Sequence, residues 1–589
     1  MKNIQKVISL VLALTMILAM FSFAVGAEEN TENAYVPDYD TETPVVLIHG
    51  IGQNNTYVVD DEGNRLTDSD GKTITGWPLS VDIGAMLKQV LVPLLKSVIT
   101  RTDAGLSEGM EQGAYDLLYA VHKDSNGVYE NNIEVPCYEC SMADMPEDIR
   151  STYYRRLPVQ GCGEIIGEDN LYFFGYDSLG DITATTEKLH DFITNVVLPQ
   201  TGAKQVNLCP VSLGGTVALS YMDMYKEDYN LIKKIVYIVP ALDGSDIVGD
   251  LLTDNLSTYD NDALYGDVLV GLMGDNFTTY LVSMLLHILP SSVLKSAISG
   301  LGRGAVKALV QNTTQLWALC PTKYYEEARA LWIADEEHEA LAARVDAYMQ
   351  ARANFEDNLN TFIAQGGKVY DINCYGCNLF PLTKDYKTTN SDMIIQSEST
   401  SMGATFADLG STLGDDYKAV GTYCSNENHN HISPDNVVDA TTGLLPDRTW
   451  YFRGQDHEQL ANNDVAIELA IELMLDDNFE DVYSNPEVYP QFNGVRNTKN
   501  VKKQIDMFRN ADKSDIPQEK IDKIEIAISA VEKEMDETVI DEAKWAEVEN
   551  DLNLALADAG LVEIKKTSTI ETIFTKLAKI ASQAIKNID

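Results

Sequence analysis

The chain has 589 residues, 44 Lys and Arg against 90 Asp and Glu, a formal net charge of −46 and 45% hydrophobic residues. A chain this long and this apolar buries a large core and divides into more than one unit, and its acidity excludes a phosphate-neutralising nucleic-acid face. Anionic membrane surfaces should repel it for the same reason.

Residues 1–27 combine Lys2 and Lys6, an apolar run from Val7 to Phe23 and the small-residue end Val25-Gly-Ala27. This is the pattern of a secretory signal peptide, so the expected location is extracellular. Its removal takes the formal charge to −48. No later segment reads as a membrane span, and Asn587-Ile-Asp589 carries no anchor signal, so release from the cell is expected. Eight cysteines include two C-x-x-C pairs, Cys137/Cys140 and Cys374/Cys377. The pairs lie too far apart for a zinc ribbon, and local bridges or free buried thiols are expected in place of metal. No cofactor and no metal site is expected.

Pro44-Val-Val-Leu-Ile-His-Gly50 reads as a buried strand ending in a glycine turn with Ile51-Gly-Gln-Asn54. Such a strand end exposes backbone N–H groups where open α/β sheets place their sites, and makes the turn a candidate half of an oxyanion hole. Residues 57–77 read as hairpins; Leu66 and Trp77 at the first and last ligand positions exclude an EF-hand around Asp68-Ser-Asp-Gly71. Val81 to Thr100 has helical spacing, with Pro93 as a point of bending. Residues 103–167 carry no clear pattern. From Asn170 the order becomes regular: a strand over Leu171–Tyr176, a helix over Thr185–Leu198, a strand over Gln205–Cys209, a helix over Gly214–Met224 and a strand over Ile235–Val239. Repeated β-α-β units of this kind build a parallel sheet.

Residues 246–365 read as a helical insertion, with Tyr280–Leu289, Val293–Leu309 and a charged stretch over Tyr324–Phe362. An insertion at this place would form a cap over the sheet; Leu281–Leu289 would be its lid or else plain core. The sheet resumes at Lys368–Gly376, and Val465–Leu475 reads as a closing helix. The composition then shifts. Ile521–Met535 and Glu542–Ala559 make residues 495–589 a separate helical segment after a catalytic segment of 35–485. Its last stretch, Thr569–Ile588, is amphipathic and would pack on its own bundle, touch a lipid interface transiently or dock an unidentified partner.

The chemistry centres on Pro210-Val-Ser-Leu-Gly214, a strand, a turn and a helix with Ser212 on the turn. This is close to the G-x-S-x-G nucleophile elbow, with proline in place of the first glycine. A serine needs a base, and the base an orienting carboxylate. The chain order serine, acid, histidine leaves three histidines after the Lys368 strand. His429 and His431 lie in a polar loop, whereas His457 follows Thr449-Trp-Tyr-Phe452 and precedes a helix-opening stretch, so His457 is the expected base. Asp392 is the expected acid, with Asp385 as its nearest competitor and Asp371 set within a strand.

Tyr172–Ser245, joined to Pro44–Gly52 and to the contexts of Asp392 and His457, resembles lipases of the lecithin:cholesterol acyltransferase-like group within the α/β-hydrolase superfamily, over roughly residues 40–480. The resemblance implies an α/β-hydrolase fold with a helical cap, and an esterase, lipase or acyltransferase working through an acyl-enzyme on a lipid or other carboxylic ester. It matches Ser212 to the nucleophile, Asp392 to the acid, His457 to the base, and the N–H groups of Ile51 and Leu213 to the oxyanion hole. A reading from another class, a secreted binding protein on a decayed hydrolase scaffold, is motivated by Pro210 and by the helical tail.

Overall fold

The computed structural model describes residues 35–561, apart from 69–70, 79–82, 258–282, 284, 427, 495–500, 502–503, 506, 510, 512, 514–515, 536–541 and 560. The expected signal peptide, residues 280–282 and 284 of the Tyr280–Leu289 stretch and the Thr569–Ile588 segment therefore lie outside the described residues.

Seven strands form the central sheet: β1 (Val45–Ile48), β2 (Leu171–Phe174), β3 (Val206–Pro210), β4 (Ile232–Ile238), β5 (Lys368–Tyr375), β6 (Thr449–Arg453) and β7 (Phe492–Gly494). Their spatial order is β7-β6-β5-β4-β3-β1-β2, and every pairing is parallel. Strands β1, β3 and the edge strand β2 are almost continuously apolar because both faces are covered, and each of their residues is buried. On one face, the helices Ile182–Asp191 and Gly214–Met224 share a core with Glu339–Ala353 and Phe355–Ala364, built around Leu189, Val217, Leu219, Tyr348, Leu359 and Phe362. On the other, Asp464–Leu475 packs against β3, β4, β5 and the short helix Gln160–Ile166.

The helical insertion is thus of two kinds. Its last two helices, Glu339–Ala353 and Phe355–Ala364, belong to the layer flanking the sheet. Further forward, Ser291–Ala305 packs on Ile83–Thr100 and Leu106–Leu118 through Val90, Leu94, Leu106, Leu289, Val293 and Ala297. The charged run over Tyr324–Phe362 is broken at Ile333 and Asn354 into separate helices. The stretch from Thr185 turns from α- to π-helical at Phe192 before ending at Thr201. A small antiparallel sheet joins Thr56–Val58 to Thr75–Trp77 and Ile133–Glu134.

The sheet takes its edge strand β7 from beyond residue 485, pairing Tyr451 with Phe492. After it, Gln518–Met535 and Glu542–Asp558 pack together on a core of their own with Val501, Phe508, Ile528, Trp545, Leu552 and Leu556. Among the described residues no helix is long and apolar enough to cross a membrane. All eight cysteines are free thiols, so neither C-x-x-C pair forms the local bridge that was one of the two expected outcomes.

Candidate active site

The turn after β3 holds Ser212 with φ at 55°, a left-handed conformation that is strained for a residue with a Cβ. Three backbone bonds fix it there: the Ser212 N–H donates to Ile238 O on β4 at 2.9 Å, and its carbonyl accepts from Gly215 N at 2.9 Å and from Ala241 N at 3.1 Å. The helix that follows lies very close to β1. A Cβ on Gly214 would fall 2.3 Å from Ile48 O, and one on Gly215 would fall 2.6 Å from the Cβ of Pro240, so both positions require glycine. Pro210 is accommodated by an interruption of the β3–β4 ladder, whose regular pairing stops at Leu208 and Ile235 and resumes as the single bridge Val211 to Ile238. A residue without an N–H can stand in that gap, while Val211 N still donates to Ile48 O at 2.9 Å.

His457 and Asp392 reach this turn from the ends of β6 and β5. His457 Nε2 lies 2.8 Å from Ser212 Oγ, and His457 Nδ1 lies 2.6 Å from Asp392 Oδ2. The other carboxylate oxygen, Oδ1, accepts from the N–H groups of Ile394 at 3.0 Å and Ile395 at 2.7 Å. The His457 N–H donates to the Asp392 carbonyl at 2.8 Å, so backbone and side chain both join the two loops. Burial works against an imidazolium at His457, but the charge and hydrogen bond of Asp392 outweigh it and hold the group above its ordinary pKa. The two rejected acids stay apart from it. Asp385 is exposed on a turn, and Asp371 is buried on β5 against Asn373, where burial pushes its carboxyl well up.

The first strand delivers the Gly50–Ile51 peptide beside the serine, with the Gly50 Cβ position 3.0 Å from Ser212 Cβ. His49 sits wholly buried, stacked on Tyr176 with ring centroids 4.0 Å apart. Its Nδ1–H donates to Gly50 O at 2.7 Å, and its Nε2 accepts from Tyr176 N at 3.2 Å. Burial pushes its pKa down to about 4, so near neutral pH it is an uncharged brace for the turn. Gln53 Oε1 accepts from Gly50 N at 2.6 Å, and Arg156 donates to Gln53 O at 2.7 Å and to Asn55 Oδ1 at 2.8 Å. Gln53 and Arg156 escape sequence reasoning because Arg156 comes from the patternless 103–167 stretch and makes its contacts across about a hundred residues. Leu213 precedes the first turn of the elbow helix, where backbone N–H groups lack intrahelical acceptors.

A cavity of about 410 Å³ opens over Ser212 and His457, lined by Leu157, Pro158, Val159, Ile394, Leu460 and Ile467 among others. Among the described residues lining it, none comes from the 246–365 insertion.

Serine, acid and histidine thus leave the carboxyl ends of three strands of one parallel sheet, in that chain order. This is the α/β-hydrolase fold. No family model matches the chain, and no curated protein matches it. Among solved structures, a chain of the Tle4–Tli4 complex is similar at 13% identity over 73% of this chain and 97% of that one, with a TM-score of 0.27. A lipase-esterase related protein from Clostridium acetobutylicum is similar at 14% identity over 34% of this chain and 89% of that one, with a TM-score of 0.14. At such low scores the fold assignment rests on the sheet order and on the strand ends that carry the three residues.

His429 and His431 do not reach Ser212. They meet Cys424 and Asp447 in a separate cluster.

Proposed function

We propose that the chain is a secreted serine carboxylic-ester hydrolase, an esterase or lipase of the lecithin:cholesterol acyltransferase-like kind. The observation that carries this reading is the unbroken hydrogen-bond chain from Ser212 Oγ through His457 to the buried Asp392, at 2.8 and 2.6 Å. With Nδ1–H held by the carboxylate, Nε2 is left to accept the serine proton as Oγ attacks the ester carbonyl. The charge that develops on the carbonyl oxygen is met by the N–H groups of Ile51 and Leu213, aimed from the braced glycine turn and from the helix N-terminus. His457 then returns its proton to the leaving alcohol, and water enters to release the acid by the same steps reversed. An alcohol in place of water would give acyl transfer on the same residues. The cavity lining is mainly apolar, with Arg155, Arg156 and Glu458 among its polar members, and its apolar part suits an acyl chain. Pro210, one of the two motives for a binding protein on a decayed scaffold, weighs less because the elbow keeps its strained φ and its three backbone bonds.

A fluorophosphonate probe tests the reading directly. Covalent labelling of the wild type at Ser212, absent from Ser212→Ala, is the expected result, together with loss of p-nitrophenyl ester turnover in that variant at unchanged melting temperature. An unlabelled wild type, or full turnover in Ser212→Ala, overturns it.

A further inference from the structure

Between Phe406 and Val438 the chain runs through about thirty residues of turns and irregular backbone. A loop of that length inside a compact domain calls for something that holds it. Four side chains converge where it returns to the sheet. Cys424, His429 and His431 come from the loop, and Asp447 from the turn Pro446–Arg448 that opens β6; one ligand atom of each lies within 4.8 Å of the other three. Asp447 Oδ1 is 2.9 Å from His429 Nδ1 and 2.9 Å from His431 Nε2, while Cys424 Sγ is 3.5 Å from His429 Nδ1.

The proton positions make this more than a polar cluster. Gln491 Nε2 donates to Pro446 O at 2.7 Å and to Thr449 O at 3.0 Å, which leaves Gln491 Oε1 as the atom facing His431 Nδ1 at 2.8 Å. A carbonyl oxygen can only accept, so His431 carries a proton on Nδ1, and its Nε2 faces Asp447 Oδ1 at 2.9 Å and the Tyr483 hydroxyl at 3.4 Å. The His431 side chain is fully buried. A neutral imidazole nitrogen and a carboxylate oxygen 2.9 Å apart repel each other unless a proton or a metal ion is bound by both, and the convergence of Cys424 and His429 on the same carboxylate is what favours the metal. Fixing a histidine tautomer from behind with an acceptor is also how metal sites orient their ligands.

We propose that Cys424, His429, His431 and Asp447 bind a structural zinc ion. The donor set of one sulfur, two imidazole nitrogens and one carboxylate oxygen suits zinc and not calcium or magnesium. Zinc–nitrogen bonds of ~2.0–2.1 Å and a zinc–sulfur bond of ~2.3 Å require donor separations of ~3.3 Å between nitrogen or oxygen atoms and ~3.6 Å to sulfur. The two 2.9 Å contacts open slightly and the 3.5 Å contact stays as it is. A thiolate and a carboxylate with two neutral imidazoles balance the charge of the ion. Four protein ligands leave no open position, and none of the four lines the cavity over Ser212, so the ion takes no part in ester chemistry. It joins the long loop to the start of β6, the strand whose far end carries His457. The donors are spread along the chain as C-x4-H-x-H followed by an aspartate sixteen residues on, a spacing that corresponds to no compact zinc motif, so the sequence alone points to a polar loop and no metal.

The test is metal analysis of the full chain purified under reducing conditions from zinc-supplemented medium. The expected result is about one zinc per chain in the wild type, with at least tenfold less retained by Cys424→Ser and by His431→Ala. Chelation should lower the melting temperature of the wild type and leave that of Cys424→Ser unmoved. Cobalt substituted into the wild type should give a tetrahedral spectrum with a thiolate charge-transfer band that Cys424→Ser lacks. Should His431→Ala fail to fold, the partly exposed Cys424 and the cobalt spectrum still decide. A wild type that holds no zinc and takes up none on titration, or zinc retained in full by both variants, overturns the proposal. None of these readouts depends on esterase activity.

Discussion

Replacing Asp392 by Asn should abolish most activity without disturbing the fold, and the surrounding bonds say why. The Ile394 and Ile395 N–H groups both donate to Oδ1, so an asparagine must place its oxygen there and turn its NH2 toward His457 Nδ1, 2.6 Å from the present Oδ2. Facing a donor, Nδ1 can only accept, and the imidazole proton moves to Nε2. That atom sits 2.8 Å from Ser212 Oγ, where the base must be bare. A wrong tautomer of this kind costs about 10,000-fold in kcat, or about 5 kcal/mol of transition-state stabilisation. Steady-state kinetics on a short p-nitrophenyl ester should show the loss in kcat with KM little changed, and a circular dichroism melt should match the wild type. A loss smaller than about tenfold (~1.4 kcal/mol) would refute the assignment of Asp392 as the orienting acid.

Because His457 must be neutral to act and its pKa is held above the ordinary range, kcat/KM should rise with pH through an apparent pKa higher than that of a free histidine; Asp392→Asn should move the inflection down, since burial then acts unopposed. His49 has the opposite sign. Its folded pKa of about 4 lies below the unfolded value of about 6.5, so the unfolded state binds the extra proton and stability falls as pH drops through that window, by about 3 kcal/mol at most. Urea denaturation at pH 7 and pH 4.5 should show the decline, reduced in His49→Gln; an equal decline in the variant would assign it to other groups. Gly214→Ala puts a methyl 2.3 Å from Ile48 O, which should cost about 1–3 kcal/mol of stability and slow turnover by displacing the Leu213 N–H, and an unchanged melting temperature and rate would contradict that packing. Amino-terminal sequencing of the chain exported by a bacterial host should begin at Glu28; retention of Lys2 and Lys6 would sink the signal peptide.

The parts of the site legible in the sequence are those that depend on short stretches of chain. Val45–Ile48 and Val206–Pro210 announce themselves as buried strands, and the order of Ser212, Asp392 and His457 follows from strand succession. What stayed hidden depends on distant partners. Nothing near Arg156 says that it holds Gln53 and Asn55, and nothing near His431 points to Asp447 and Gln491. The helix Leu106–Leu118 has three glutamine or glutamate residues and two glycines in its sequence; it is held by packing against Ser291–Ala305, where Gly300 and Gly304 allow backbone contact at Ser107 and Glu111, so its own pattern was too weak to read. The division of the 246–365 insertion between sheet layer and outer helices escaped for a similar reason, since amphipathic spacing reveals a buried face but not what buries it.

The amide bond from His457 to the Asp392 carbonyl has a consequence for how such a chain can change over evolutionary time. Acid and base are clasped to each other at the mouths of adjacent strands, so the chain between them begins and ends at fixed points. Doubling the length of a loop so anchored adds only about 0.6 kcal/mol of closure entropy. Lineages can lengthen or trim the irregular part of that stretch, between Phe406 and Val438, while β6 and the chemistry stay in register, and variation in this protein's relatives should concentrate there.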